Sequence, residues 1–349
     1  MIKIALASLL VCLMAAGSGA LADEPVSFKG KSVTMIVGSA PGGGTDTAGR
    51  LLANFLHKYL PGEPNLIVQN MPGAGGISSV NFFVHQTKPD GLTVLMGSES
   101  TIDPIIFRSS TNVQYDPKML ELVGGIGRGG SVIFTHKKDR PRLLDKSKPP
   151  LIIGNVGPVP REAIQPALWG IEYLGWNARW VAGYHGTNDV LLAFDRGEVD
   201  VSSTGNLFEV KDRMKELFII TQTGMYRAGK IVGSDAFGDA PLFPDMIAGK
   251  IKTPAAQKAF DYWVALNSAD KWLALPPGTP APLLAAYRKS FQDASKDPEF
   301  TAQGSKISEG FTPISAADFG SLIDTLVSTP PEAIDYTKAL MKKQGLSAP

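Results

Sequence analysis

The chain has 349 residues, with 34 Lys and Arg against 33 Asp and Glu and a formal net charge of +1. A chain so balanced does not suggest nucleic-acid binding, which wants a basic face, so no nucleic acid is expected as a partner. Cys12 is the only cysteine and lies in an N-terminal apolar stretch, so disulfides and cysteine-based metal or nucleophile sites are excluded from the rest of the chain. Residues 1–22 read as a cleavable secretory signal: Lys3, an apolar run from Ile4 to Ala16, then Ala20-Leu21-Ala22 as a small-x-small cleavage pattern. The run is short for a bilayer span, and Val11 before Cys12 does not suit a lipid attachment signal. Removing these 22 residues leaves 327, with 33 basic and 33 acidic side chains, enough chain for one or two domains.

The first strong pattern is Val33-Thr34-Met35-Ile36-Val37, a short apolar run that suits a strand covered on both faces. Pro41-Gly42-Gly43-Gly44 follows as a turn that brings bare backbone within reach of a ligand. Thr45 or Asp46 then caps a helix running to about Tyr59, with Ala48, Leu51, Leu52 and Phe55 at helical spacing. A helix start offers free N–H groups and partial positive charge, so the unit is either an anion cradle or a plain tight turn. The idea recurs: Leu66 to Asn70 is a strand, Pro72-Gly73-Ala74-Gly75-Gly76 a turn, and Ile77, Val80, Phe83 and Val84 a helix face. Pro89-Asp90-Gly91 is turn chemistry, and Leu92 to Met96 is a third strand ending in Gly97-Ser98. Strands alternating with helices imply a parallel α/β sheet, with ligands beyond the carboxyl ends of its strands.

Asp103 to Pro117 reads as a surface loop, and the glycine-rich stretch from Leu120 to Gly130 as a crossing between domains. Gly125-Ile126-Gly127-Arg128-Gly129-Gly130 lacks the glycine spacing of a dinucleotide fingerprint. A second βαβαβ pattern follows. Strands are expected at Ser131–Thr135, Leu151–Asn155, Arg179–Ala182 and Val199–Ser202, with a helix of about fourteen residues from Arg161. A further helix is capped by Thr187 or Asn188 and closed by Gly197. Leu217 to Thr221 reads as a strand returning toward the first lobe. The late helices at Ile251–Asn267, Pro280–Ser295, Ala316–Ser328 and Pro331–Lys343 are expected to pack around that lobe.

The chemistry points to binding rather than reaction. The four histidines, His57, His85, His136 and His185, show no metal-ligand spacing, so no metal is expected. Gly97-Ser98-Glu99-Ser100 is not a nucleophile elbow, and no Walker lysine follows Gly44, so neither an enzyme nor a cofactor is expected.

Three motifs in order carry a resemblance: Pro41-Gly42-Gly43-Gly44-Thr45-Asp46 with Arg50, Val68-Gln69-Asn70-Met71-Pro72-Gly73-Ala74-Gly75-Gly76, and Pro89-Asp90-Gly91-Leu92-Thr93-Val94-Leu95. They resemble the N-terminal signature of the Bug/TctC family, the solute-binding proteins of tripartite tricarboxylate transporters. The similarity continues weakly through Pro276-Pro277-Gly278-Thr279-Pro280. The resemblance implies a periplasmic, monomeric protein that takes a small organic acid between two lobes and delivers it to membrane permease subunits. A sensor for a membrane signalling system is the alternative, and an enzyme acting on a small acid a more distant one.

The site residues it implies are Ser39, Ala40, Gly43, Gly44 and Asp46 in the first turn, joined by Ser98 at the carboxyl end of the third strand. The second lobe contributes Gly157, Tyr184, His185, Gly186, Thr204 and Asn206. The sequence departs from the family at Gly38 and Ser39, where proline and an aromatic are usual, at the proline-stiffened Asn155–Pro160 turn, and at His185, usually lysine. The expected fold is α/β and two-lobed, like periplasmic binding proteins. Each lobe is a mostly parallel sheet flanked by helices, with the ligand cleft between them. Residues 23–124 and 236–349 are expected to form lobe 1, and 125–235 lobe 2.

Overall fold

Strand β1 (Ser32–Val37) seeds the architecture, because its alternate side chains enter two different cores: Val33, Met35 and Val37 on one face, Ile36 on the other. The structure is a computed structural model that describes residues 25–109, 111–127, 129–156, 159–160, 162–184, 187–205, 213–227, 229–307 and 311–347. The signal-peptide reading therefore falls outside the described residues. Among those described, no helix is long and apolar enough to cross a membrane.

Two sheets form the frame. The first is built from β1, β2 (Asn65–Asn70), β3 (Thr93–Ser98), β4 (Glu121–Gly127), β12 (Ala269–Leu275) and β13 (Thr312–Ser315), in the order β13-β4-β12-β3-β1-β2. The second contains β5 (Val132–His136), β6 (Leu151–Val156), β7 (Ala178–Tyr184), β8 (Val201–Thr204) and β9 (Leu217–Gln222), in the order β7-β6-β8-β5-β9. A small hairpin, β10 (Met225–Arg227) and β11 (Lys230–Val232), follows the second. Most strands run one way, as expected: only β12 and β13 oppose β1–β4, and only β5 opposes its neighbours.

Helices cover both faces of each sheet. Helix α1 (Gly44–Tyr59) and the short α2 (Ile77–Gln86) and α3 (Pro104–Ser109) belong to the first half of the chain; α4 (Ala167–Tyr173) and α5 (Thr187–Asp195) belong to the second sheet. Five of the later helices are α6 (Phe243–Ile247), α7 (Pro254–Ser268), α8 (Ala281–Lys296), α9 (Pro298–Ile307) and α10 (Ala316–Val327), with α11 (Pro331–Lys343) at the end. On one face of the first sheet, Leu52 and Phe55 of α1 meet Tyr287 and Phe291 of α8 and Phe300 of α9. On the other, Val80 and Phe83 of α2 join Tyr262 of α7 and Phe319 of α10.

The glycines of β4 have a packing cause. A Cβ on Gly124 would lie 2.4 Å from the Phe291 ring, and one on Gly125 would lie 2.1 Å from the Phe319 ring. These two consecutive residues face opposite sides, so each seats an aromatic ring from a different helix layer. The stretch read as a crossing is thus largely an inner strand, and the chain passes to the second sheet between Gly127 and Val132.

Two expectations are corrected. The helix from Arg161 is instead a single 3-10 turn at Glu162–Ile164 followed by α4, because Pro166, lacking an N–H, stands as the N-cap of α4. Leu217 to Thr221 lies in β9, the edge strand beside β5, which leads into the segment paired with Ser131. Helix α11 does not pack around the first sheet. Its Ala333, Leu340 and Met341 enter the core beneath the second sheet with Trp169 of α4 and Phe260 and Trp263 of α7. Polar contacts hold the same docking: Tyr173 and Tyr336 hydroxyls lie 2.5 Å apart, Lys343 pairs with Glu172 at 2.8 Å, and the Trp180 indole N–H donates to Gln344 at 2.9 Å.

Truncating Leu340, which is 3% exposed, leaves a cavity in this shared core. Leu340→Ala is expected to cost about 2–4 kcal/mol of unfolding free energy, read from urea denaturation followed by tryptophan fluorescence.

Candidate functional site

The first turn is built around a buried carboxylate. Asp46 is 2% exposed and is the third residue of α1, whose N-cap is Gly43. Neither Thr45 nor Asp46 is the N-cap; Asp46 instead reaches back over the turn. One oxygen accepts the Gly42 N–H at 2.8 Å and the Arg50 Nε–H at 3.0 Å, and the other accepts from Asn70 Nδ2 at 2.8 Å. Asn70 Nδ2 also donates to the Ser39 carbonyl at 2.9 Å, and Arg50 donates to Asn70 Oδ1 at 3.0 Å. A single carboxylate thereby ties the end of β1, the glycine turn, the start of α1 and the end of β2. Gly42, at φ +81°, takes a backbone conformation open to glycine.

Burial alone pushes the Asp46 carboxyl upward, but the hydrogen bonds from Arg50, Gly42 and Asn70, with the Arg50 charge, outweigh it and hold it down at about 2. Asp46 is therefore a buried anion held from within by Gly42, Arg50 and Asn70. Arg50 and Asn70 are the partners that reading the residues as ligand contacts missed. Their signal was the i,i+4 spacing of Asp46 and Arg50 and the polar Asn70 ending an apolar strand.

What the turn presents outward is backbone. The Gly43 N–H bonds the Ala40 carbonyl at 3.1 Å. Among the described residues, the N–H groups of Gly44 and Thr45 have no partner, and they open a 16-residue helix. Ala40 is exposed, Ser39 is half-buried, and a Cβ on Gly44 would meet nothing within 4 Å. Ser39, Ala40, Gly43 and Gly44 thus share one wall, where uncompensated donors and the helix dipole favour an anion.

Ser98 ends β3 beside this wall. Its hydroxyl lies 2.8 Å from that of Ser100, and its carbonyl accepts from the Trp272 indole at 3.0 Å and from Thr101 Oγ1 at 2.6 Å. Ser100 donates to the Gly75 carbonyl at 3.2 Å, which joins the second glycine turn to the first group. Opposite Ser98 on β12 stands Lys271, nearly buried between Asp270 and Glu99, a cation that periodicity did not flag.

In the second sheet, Tyr184 ends β7 opposite Val156, and Thr204 is buried at the end of β8 opposite Val132. Both lie at carboxyl ends of strands. Gly157, His185, Gly186 and Asn206 lie outside the described residues, so the structure gathers only Tyr184 and Thr204 of that set. The two carboxyl edges are joined by the crossing itself. Gly127 ends β4, which runs with β1–β3, and Val132 pairs with Thr204. Five residue steps span at most about 18 Å, so the two edges are held near one another. The return passes alongside: the Ser131 N–H donates to Thr223 Oγ1 at 3.0 Å, and the Thr223 N–H to the Ser131 carbonyl at 2.8 Å.

The lowered Asp46 value sets a pH test. Its folded-state value lies below the unfolded one, so its stabilisation is full above about pH 4 and is lost as pH falls toward about 2. The shift corresponds to about 2–3 kcal/mol. Asp46→Asn is expected to lose that amount at neutral pH and to converge on the parent near pH 2, measured by urea unfolding at several pH values.

Comparison with known proteins follows the same lines. Over 127 residues the chain is 37% identical to protein BugT of Bordetella pertussis, an alignment covering 35% of this chain and 37% of BugT. The chain spans about a third of the length of the curated relatives it matches. No family model matches it. Among solved structures, a TctC solute binding protein from Polaromonas superposes with a TM-score of 0.66 at 18% identity, covering 91% of this chain and 100% of that one. MatC from Rhodopseudomonas palustris, with bound malate, superposes at 0.52 with 19% identity, covering 85% of this chain and 96% of that one. The fold is shared with the TctC solute binding protein, and over about a third of its length the sequence is similar to BugT.

Proposed function

We propose that the protein is exported to the periplasm, captures a small carboxylated compound between its lobes and delivers it to the permease subunits of a tripartite tricarboxylate transporter. The observation that carries this reading is the pair of unpartnered N–H groups at Gly44 and Thr45, opening α1 while Asp46 is neutralised behind them. A carboxylate supplies the acceptor oxygens those donors lack. Malate in MatC is a ligand of this chemistry on the same fold. Export rests on the sequence pattern of residues 1–22, and mass measurement of the secreted protein is expected to place its N-terminus at Asp23.

Ser39, Ala40, Gly43, Gly44 and Ser98 form the first wall of the proposed cleft. Tyr184, Thr204 and the sequence-implied Gly157, His185, Gly186 and Asn206 form the second. The paired crossing at Ser131 and Thr223 serves as the hinge, and a ligand touching both walls favours closure. The proposal is of binding without turnover.

Gly44 has helical backbone and open space at its Cβ, so Gly44→Leu is compatible with the fold and places bulk beside the donors. It is expected to weaken malate or adipate binding at least about tenfold, or about 1.4 kcal/mol, with an unchanged melting temperature. The measurement is calorimetric titration, after mass spectrometry of small molecules released from the purified protein. A released ligand without a carboxyl group, or unchanged affinity in a folded Gly44→Leu protein, overturns the reading.

A further inference from the structure

The second lobe carries a cavity that the carboxylate site does not use. It has a volume of about 820 Å³. Its walls are Leu143 and Leu144 before β6, Leu174 and Trp176 before β7, and Phe218 and Ile220 of β9. Strands β6, β7 and β9 run in one direction, so these residues cluster at the amino ends of the strands. Val156, Tyr184 and Thr204 end the strands at the other edge of the same sheet. The cavity and the proposed carboxylate site therefore sit at opposite ends of the second lobe.

The lining is apolar apart from two cations, Arg140 and Lys250, and no acid lines it. Both cations are exposed, and among the described residues neither has a carboxylate partner. The contrast with Arg142, two residues away, is instructive: that guanidinium is held by Asp139 at 3.1 Å and Asp200 at 3.0 Å. Arg140 lies instead over the Phe218 ring, 4.3 Å from its centroid, fixed at the rim with its charge uncompensated. Leu144, on the same rim, is 68% exposed, an unusual position for a large apolar side chain beside a cavity.

An apolar hollow of this volume lies in the range that holds a small molecule, and a few polar groups at its rim fix orientation. We infer that the second lobe contains a further ligand site, in which Arg140 and Lys250 hold the anionic head of an amphipathic monoanion while its alkyl or aryl body fills the hollow lined by Leu143, Leu144, Trp176 and Phe218. A small, highly hydrated diacid does not match this lining, so the ligand class differs from that proposed for the cleft. The inference does not rest on the transport reading.

The test is calorimetric titration of the mature protein with octanoate, with octan-1-ol and malate in parallel, together with fluorescence of Trp176 in the cavity wall. Octanoate is expected to bind at one saturable site, at least about tenfold more tightly than the uncharged alcohol. Arg140→Gln and Lys250→Gln are each expected to weaken octanoate at least about threefold, and Leu144→Glu, which sets an anion on the rim, more than tenfold. All three positions are exposed, so the variants are expected to keep the parent melting temperature, and any one that folds decides the matter. Gly44→Leu is expected to leave octanoate binding unchanged, and Arg140→Gln to leave malate binding unchanged. Absence of saturable octanoate binding overturns the inference. So does octanoate binding that is lost in Gly44→Leu but intact in Leu144→Glu, since that places the ligand in the cleft.

Discussion

The buried carboxylate of Asp46 is the constraint on which the first lobe's binding surface depends. A glycine turn has little intrinsic preference for one conformation, and Gly42, Gly43 and Gly44 leave the chain between β1 and α1 free to wander. Asp46 ends that freedom by accepting from Gly42, Arg50 and Asn70 at once. The same bonds orient α1 so that Gly44 and Thr45 turn their N–H groups outward. An unpaired buried carboxylate costs several kcal/mol, so the three donors act as a unit, and removal of any one leaves the others compensating a charge they do not fully satisfy.

Glycine in this chain serves two separate needs. At Gly42 and Gly73 the backbone takes positive φ, and the requirement is conformational. At Gly97, Gly124 and Gly125 the requirement is space: a Cβ on Gly97 would lie 2.1 Å from the Trp272 ring, and the other two face Phe291 and Phe319. Sequence alone does not separate these cases, because the ring that fills the space comes from a segment more than a hundred residues away.

That distinction explains what was legible. The strands β1, β2 and β3 and helix α1 follow from local periodicity and turn chemistry, and the structure places them within a residue or two of the expectation. Strand β12 was not legible. It follows α7 directly, with no glycine or proline to mark a turn, and its first three residues are Ala269, Asp270 and Lys271, so the local pattern does not announce a strand. Its neighbours β3 and β4 supply the pairing that overrides the local pattern. Helix α11 was legible as a helix but not as to where it docks, since an amphipathic face does not name its partner. In the first turn, the residue types pointed to an anion, but only the three-dimensional arrangement shows that the negative charge already present is internal and that the outward surface is backbone.

The shared helix α7 bears on how the proposed closure works. Phe260 and Trp263 lie in the core beneath the second sheet, while Tyr262 and Ala265, on the opposite side of the same turns, lie in a core of the first. A wide hinge opening would strip one of these faces from its core, exposing aromatic surface at roughly 25 cal/mol per Å². Small sliding of α7 against either layer keeps both contacts. Helix α11 reinforces the asymmetry, since it leaves the first sheet's layers at α10 and docks onto the second. Among the described residues the two sheets are thus connected by the paired segments at Ser131 and Thr223, by the passage from α10 to α11 and by the packed helix α7. That geometry favours a closure of small amplitude, in which the Ser131–Thr223 pair flexes while the α7 interface slides.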